Sequence, residues 1–304
     1  MKISDKNILV TGGNGFIGSH IVDRLIEDGN IVTVIDNKSS DASDIHYYNS
    51  KAAYFNEDIC DYDNIRPLFE NIDIVFHLAA EARIQPTLDN PLLATRTNVL
   101  GTCTVLQCAR EANVKRVIYS STSAAYGLKN KPPLNENMPN DCLNPYSVTK
   151  TSGEELCKMY TKLFGVDTVT FRYFNVYGER QPVKGQYAPV VGIFLRQKAA
   201  GHDMTIVGDG KQKRDFVYVN DIVEANIRAA DLTNRAVIGE TINVGTGVNY
   251  SVNDIAEMIK GNTINIEGRI GEAKNTQACT LKIEKLLGLK PVDNIQKYIK
   301  NENK

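Results

Sequence analysis

No uninterrupted apolar stretch in the 304 residues approaches the roughly 18 needed to cross a bilayer, so no membrane segment is expected. The first residues, MKISDKNILVTGG, hold no apolar secretory core before the glycines arrive, which points to a cytoplasmic protein. The six cysteines (Cys60, Cys103, Cys108, Cys142, Cys157 and Cys279) include no Cys-x-x-Cys pair and are too sparse for a disulfide framework. Four scattered histidines give no basis for a His-based site, so no metal is expected. No block of like charge stands out either: 35 Lys and Arg balance 36 Asp and Glu. That balance excludes a nucleic-acid binder working through a basic face. What is present is ordinary for a soluble globular chain, with 42% hydrophobic and 23% charged residues. The length allows two domains or one large α/β unit.

Residues 7–11 (NILVT) form a short apolar run, followed by Gly12, Gly13, Gly15 and Gly18 at the start of an amphipathic segment. Ile17, Ile21, Leu25 and Ile26 recur at helical spacing, Gly29 ends the helix, and IVTVID follows as a second strand. The alternation continues through AYFNEDI, a helix near 61–70, IDIVFHLAA, a helix near 92–113 and VKRVIYSS. Strands at this interval, separated by helices, predict an α/β fold with a doubly wound parallel sheet. After VDTVTFRYFN the rhythm breaks, and residues 178–190 read as a long irregular loop. We expect a dinucleotide-binding unit over 1–175 and a smaller lobe over 176–304. TINVGTG (241–247) should return to the first sheet, so that the lobes interleave.

Gly12-x-x-Gly15-x-x-Gly18 falls between a strand and a helix, where glycines allow tight turning and the helix N-terminus offers free N–H groups to a pyrophosphate. Alone the pattern is weak, because many strand–helix turns need glycine. Asp36, at the end of the second strand, stands 18 residues past Gly18. That is near the roughly 20 expected of an acid that binds the adenosine ribose and repels a 2′-phosphate, which favours NAD over NADP. The plainer alternative is a solvated loop aspartate.

Tyr146 and Lys150 stand four apart where another helix begins, so both lie on one face. An ammonium there would lower the phenol from its usual ~10 and suit it to proton abstraction. Ser120-Ser121-Thr122-Ser123 closes the strand VKRVIY, at the end of the sheet where open α/β folds bind ligands. Tyr-x-x-x-Lys is common by chance, and a polar strand end needs no function.

Taken in order, TGGNGFIG, Asp36, HLAA, SSTSAAYG, YSVTK, RYFNVYG and KRDFVYVNDI resemble the extended short-chain dehydrogenase/reductase superfamily, within it the nucleotide-sugar epimerases of the UDP-glucose 4-epimerase type. The likeness runs from residue 7 to about 290. It implies a Rossmann-like fold with NAD as cofactor and a UDP-sugar as substrate. Gly12, Gly15 and Gly18 would face the pyrophosphate, Phe16 and Ile17 would also bind the cofactor, Asp36 would hold the ribose, Asp58 and Ile59 would border the adenine, and Ala79 and Ala80 would form the turn beside the cofactor. Tyr146 would be the general base, Lys150 the group on the nicotinamide ribose, and Thr122 the hydroxyl partner of the reacting oxygen. Asn175, Arg214 and Arg269 match positions that hold UDP.

Relatives that eliminate water follow the catalytic Thr with an Asp-Glu pair, and uronate decarboxylases place Glu two residues after it. Here Ser123 and Ala124 follow, which leaves epimerisation through a 4-keto sugar as the expected reaction. The alternatives are a 4,6-dehydratase, a UDP-glucuronate decarboxylase, or an idle NAD-binding scaffold. Where some glucose-restricted relatives carry a Tyr in the sugar pocket, this chain has Thr276, which would admit N-acetylated sugars. The usual Ala-Asp pair of the family is here Ala278-Cys279. Apolar positions Leu156, Met159, Tyr160 and Leu163 match helices that pair across a two-fold axis in the family, which implies a homodimer.

Overall fold

The computed structural model describes residues 1–40, 45–182, 189–268 and 271–303. Twelve strands lie in chain order: β1 Asn7–Thr11, β2 Ile31–Ile35, β3 Ala53–Phe55, β4 Ile74–His77, β5 Arg116–Thr122, β6 Thr168–Tyr173, β7 Asn175–Tyr177, β8 Met204–Val207, β9 Lys213–Tyr218, β10 Thr241–Val244, β11 Asn249–Ser251 and β12 Thr263–Ile266. Among the described residues, seven of them form one sheet in the order β10-β6-β5-β4-β1-β2-β3. Every pairing in it is parallel. A parallel sheet must be covered on both faces, and the fully buried β-branched strands β4, β5 and β6 meet that condition. Two apolar clusters fill the layers on either side. One gathers around Val10, Phe76, Ile118 and Ile227, the other around Leu9, Val75, Val117 and Leu106.

The chain order reverses between β1 and β4, which opens a crevice at the carboxyl ends of the strands. Register brings the edge of that crevice into line: Thr11 faces Ile35 on one side and His77 on the other, and His77 faces Tyr119. β10 pairs with β6 at the far end of the same sheet. Beyond it, β7, β9 and β11 form a small three-stranded sheet, and β8 and β12 a parallel pair. Both rest on a third apolar cluster around Phe194, Ile255 and Ile295.

Three elements differ from the sequence reading. The strand expected over AYFNEDI stops at Phe55, because Asp58 turns back to accept its own chain at Cys60 N (2.9 Å). The helix near 61–70 is a single turn, Tyr62–Ile65, continued as a tight 3₁₀ turn over Arg66–Phe69 with Pro67 inside. The helix near 92–113 is broken by a widened π turn at Arg96–Gly101, between Pro91–Thr95 and Thr102–Glu111. That turn aims Asn98 inward, where it clasps Glu81 N and O (2.8 and 3.0 Å) and Thr149 Oγ1 (2.9 Å). No helix of the described residues is long and apolar enough to cross a membrane.

Candidate active site

A cavity of about 870 Å³ lies along the carboxyl ends of the sheet strands and runs beneath the small sheets. At one end sits the glycine turn. Gly12 has φ +74, and a Cβ there would stand 2.7 Å from Ala79 N. At Gly18 a Cβ would meet Gly12 O at 2.1 Å, so this glycine sets how closely the helix Phe16–Glu27 approaches β1. Gly15 differs: its nearest obstacle is Gly12 O at 3.4 Å, and the residue lines the cavity. No side chain caps the helix at Gly15, so its first N–H groups are left for a ligand. This uncapped cradle fits a dinucleotide pyrophosphate.

Asp36 completes that end. Its Oδ2 accepts from Asn14 N (3.0 Å) and Oδ1 from Lys38 N (2.8 Å), which fixes the carboxylate in the cavity wall. Phe16, Ile17, Ile59, Ala79 and Ala80 line the same wall. Asp58 does not. Its carboxylate turns to Arg96 Nη1 (2.7 Å), away from the lining, so only its neighbours Glu57 and Ile59 face the space where adenine was expected.

At the centre, β5 delivers Thr122 and the helix Pro145–Phe164 delivers Tyr146 and Lys150. The helix start is fixed by Pro145 and a reciprocal Asn144–Ser147 capping box (2.8 and 3.3 Å), which holds Tyr146 in the first turn. The Thr122 side chain lies close enough to the Tyr146 hydroxyl to favour its ionised form. Burial raises the Tyr146 phenol above its usual range, and Thr122 beside it only partly offsets this. Here the sequence expectation is corrected: Lys150 does not pull the phenol down in this arrangement. Its ammonium lies instead over the Tyr119 ring, 4.4 Å from the centroid, and burial lowers it to about 8.

Behind this group lie partners that sequence reasoning missed. Ser121 Oγ donates to Glu154 Oε1 (2.5 Å), and Arg172 pairs with both Glu154 oxygens (2.9 and 2.7 Å). This buried cluster ties the helix to β5 and β6; Glu154, one turn past Lys150, was the visible signal for it. His77 bridges Thr11 Oγ1 (2.7 Å) and Thr102 Oγ1 (3.0 Å). Because the Thr102 hydroxyl donates to Asn98 O (2.7 Å), it accepts from His77, which assigns the ring proton to Nε2. Full burial lowers His77 to about 3.

The far end carries the residues expected to hold a nucleotide. Asn175, Arg214 and Thr276 all line the cavity. Asn175 Nδ2 donates to Asp215 O (3.1 Å), and Arg214 Nη2 to Glu272 Oε2 (3.3 Å). Thr276 is buried, and its hydroxyl has no partner among the described residues. Its loop is anchored by main chain: Thr276 N to Lys213 O (3.1 Å), Ala278 N to Asp215 Oδ2 (2.9 Å) and Cys279 N to Leu134 O (2.8 Å). The loop therefore holds its place without an acid at Cys279. Arg269 lies outside the described residues.

Residues 8–245 match the model of the NAD dependent epimerase/dehydratase family. A UDP-glucose 4-epimerase of Mycolicibacterium smegmatis is 38% identical over 258 residues, covering 83% of this chain and 81% of the relative. A UDP-N-acetyl-alpha-D-glucosaminuronate decarboxylase of Bacillus cytotoxicus is also 38% identical, covering 84% and 79%. Among solved structures, UDP-N-acetylglucosamine 4-epimerase from Methanobrevibacter ruminantium, in complex with UDP-N-acetylmuramic acid, superposes with a TM-score of 0.91 at 34% identity over 99% of this chain and 98% of that one.

Proposed function

The chain belongs to the NAD dependent epimerase/dehydratase family, and on that premise we propose that it is an NAD-dependent UDP-hexose 4-epimerase that interconverts gluco and galacto configurations. Bound NAD supplies the redox couple that oxidises the sugar C4 carbinol and reduces the ketone again, and in its oxidised form a positive ring that favours phenolate. Tyr146 Oη takes the C4 hydroxyl proton and later returns it, while Thr122 Oγ1 hydrogen-bonds the same oxygen. Lys150 holds the nicotinamide ribose. The Gly12–Gly18 turn holds the pyrophosphate, Asp36 the adenosine ribose, and Asn175, Arg214 and Arg269 the UDP. Residues 1–175 thus serve the cofactor and 176–304 mainly the substrate, with 241–247 returning to the large sheet.

One observation separates epimerase from decarboxylase or dehydratase, since named relatives of both epimerase and decarboxylase types are equally similar. Thr122 is followed by Ser123 and Ala124, and both line the cavity. The carboxylates among the described lining residues, Asp36, Glu57, Glu81 and Glu272, belong to other strands and loops. Elimination at the end of β5 therefore lacks its proton shuttle, whereas epimerisation needs only the Tyr146 exchange and room for the keto sugar to turn. Incubation with UDP-galactose should give UDP-glucose without accumulation of NADH. A deoxy-keto sugar would defeat the reading, as would net NADH.

The protein is read as cytoplasmic and as a homodimer. Tyr160 is buried in its own core and Leu156 and Met159 pack against it, so of the stripe only Leu163, 65% exposed, is free to pair. Leu92 (83% exposed), Leu100 and Val148 extend the apolar surface. Light scattering at micromolar concentration should report a dimer, and a monomer would defeat this assignment.

A further inference from the structure

Among the described residues that line the cavity, Arg83 is the one non-glycine residue with a positive φ. Its φ of +88 and ψ of +148 fall in a region that glycine alone adopts freely. Its guanidinium lines the cavity and has no hydrogen-bond or ion-pair partner among the described residues. Burial depresses its pKa, with no neighbouring carboxylate to oppose the shift. Two residues on, Gln85 also lines the cavity, with its Nε2 buried and without a partner among the described residues. A strained backbone that carries a half-buried cation with no protein partner among the described residues is costly in the free protein unless a ligand completes it.

The segment's place narrows what that ligand is. Asn98 clasps Glu81 and also Thr149, which lies between Tyr146 and Lys150, so the segment is fastened to the catalytic helix. At its other end Ile84 abuts the turn at Gly271, beside Glu272 and its partner Arg214; a Cβ at Gly271 would stand 3.9 Å from Ile84 Cγ2. Arg83 thus lies on the substrate side, between the reacting pair and the arginine read as a diphosphate ligand. The group that must sit beside Tyr146 is the sugar ring. An anion within reach there is a substituent of that ring.

We propose that Arg83, assisted by Gln85, forms an anion subsite that selects UDP-hexoses bearing a carboxylate. The proposal rests on the reading of the cavity as a UDP-sugar site. A guanidinium meets a carboxylate through two parallel N–H bonds, and the Gln85 amide adds a third donor. A neutral sugar that covers the half-buried guanidinium takes it from water and gives it no partner, so the subsite discriminates by what it leaves unsatisfied as well as by what it binds.

The test measures affinity by calorimetry in NAD-loaded Tyr146→Phe protein, where no turnover intervenes. One arm compares UDP-glucuronate with UDP-glucose, a C6 carboxylate against none. The other compares UDP-N-acetylmuramate with UDP-N-acetylglucosamine, a 3-O-lactyl carboxylate against none. The acid of one arm should bind about tenfold or more tighter than its neutral counterpart, and the arm that responds locates the carboxylate. Arg83→Gly, which frees the backbone and should raise Tm, should collapse that ratio about tenfold or more. Equal losses for acid and neutral sugar would overturn the proposal and place Arg83 on the diphosphate. A ratio near one in both arms of the parent protein, or a ratio unmoved by Arg83→Gly, overturns it as well. Wild-type products judge the reaction separately. UDP-pentose from UDP-glucuronate would sink the epimerase reading, while the affinity ratio would still decide Arg83.

Discussion

Tyr119 holds Lys150 at both ends: its ring face carries the ammonium 4.4 Å from the centroid, and its hydroxyl donates to the Lys150 carbonyl at 3.1 Å. A residue of the central strand thereby positions one on the catalytic helix, and the contact depends on Gly153. A Cβ at Gly153 would stand 2.2 Å from the Tyr119 hydroxyl oxygen and 2.6 Å from Cζ. Gly153→Ala should therefore displace Tyr119, cost about 1–3 kcal/mol of stability, and lower kcat about tenfold or more. Urea unfolding and steady-state kinetics check both. An unchanged kcat in the destabilised variant would show that Tyr119's grip on Lys150 is dispensable.

The glycine turn predicts two different failures. Gly15 already has extended backbone (φ −82, ψ −179) and room for a methyl group on the cavity side. Gly15→Ala should fold with stability within about 1 kcal/mol of wild type and lose NAD affinity by about tenfold or more. Gly18→Ala drives a Cβ into Gly12 O at 2.1 Å and should destabilise the chain itself. NAD titration alongside unfolding separates the two, and identical behaviour would refute the division of roles.

His77 predicts a pH dependence. Its folded pKa of about 3 lies below the ordinary histidine value of 6.5, so the unfolded state binds the extra proton between those values. Stability therefore falls as pH drops below about 6.5, at about 1.4 kcal/mol per pH unit for this one group. His77→Gln, which keeps a donor and an acceptor, should lose about 2 kcal/mol less than wild type between pH 6.5 and 5. Parallel stability curves for the two proteins would remove His77 as the cause.

How much of this was legible follows from what each feature depends on. The turn at Gly12–Gly18, Asp36 and the Tyr146–Lys150 spacing are local patterns, and the cavity gathers them all. Asp58 is absent from the cavity lining, and the local pattern gave no sign that Arg96, 38 residues away, takes its carboxylate. The expected phenol–ammonium coupling also failed on a tertiary fact, since Tyr119 sits 31 residues from Lys150 and reaches it only through the sheet. The π turn at Arg96–Gly101 left no mark in apolar periodicity, because what it serves is Asn98's grip on Glu81 and Thr149. Gly153 looked like an ordinary small residue in a helix. Its need appears only when a neighbouring strand places a ring against it.

Thr276 carries the last prediction. It is 5% exposed, lines the cavity, and its buried hydroxyl has no partner among the described residues. A threonine there leaves a ring's volume less filled than a tyrosine would, so the wild-type protein should turn over UDP-N-acetylgalactosamine alongside UDP-galactose. Thr276→Tyr should lower kcat/KM for the acetylated sugar about tenfold or more relative to UDP-galactose, in the range that shape exclusion reaches. Thr276→Val keeps the volume and removes the hydroxyl, which separates space from hydrogen bonding. If space governs, Val behaves as wild type and only Tyr excludes the acetyl group. A Val variant that loses the acetylated sugar would assign the effect to the unpartnered hydroxyl, and a Tyr variant that still accepts it would end the volume account altogether.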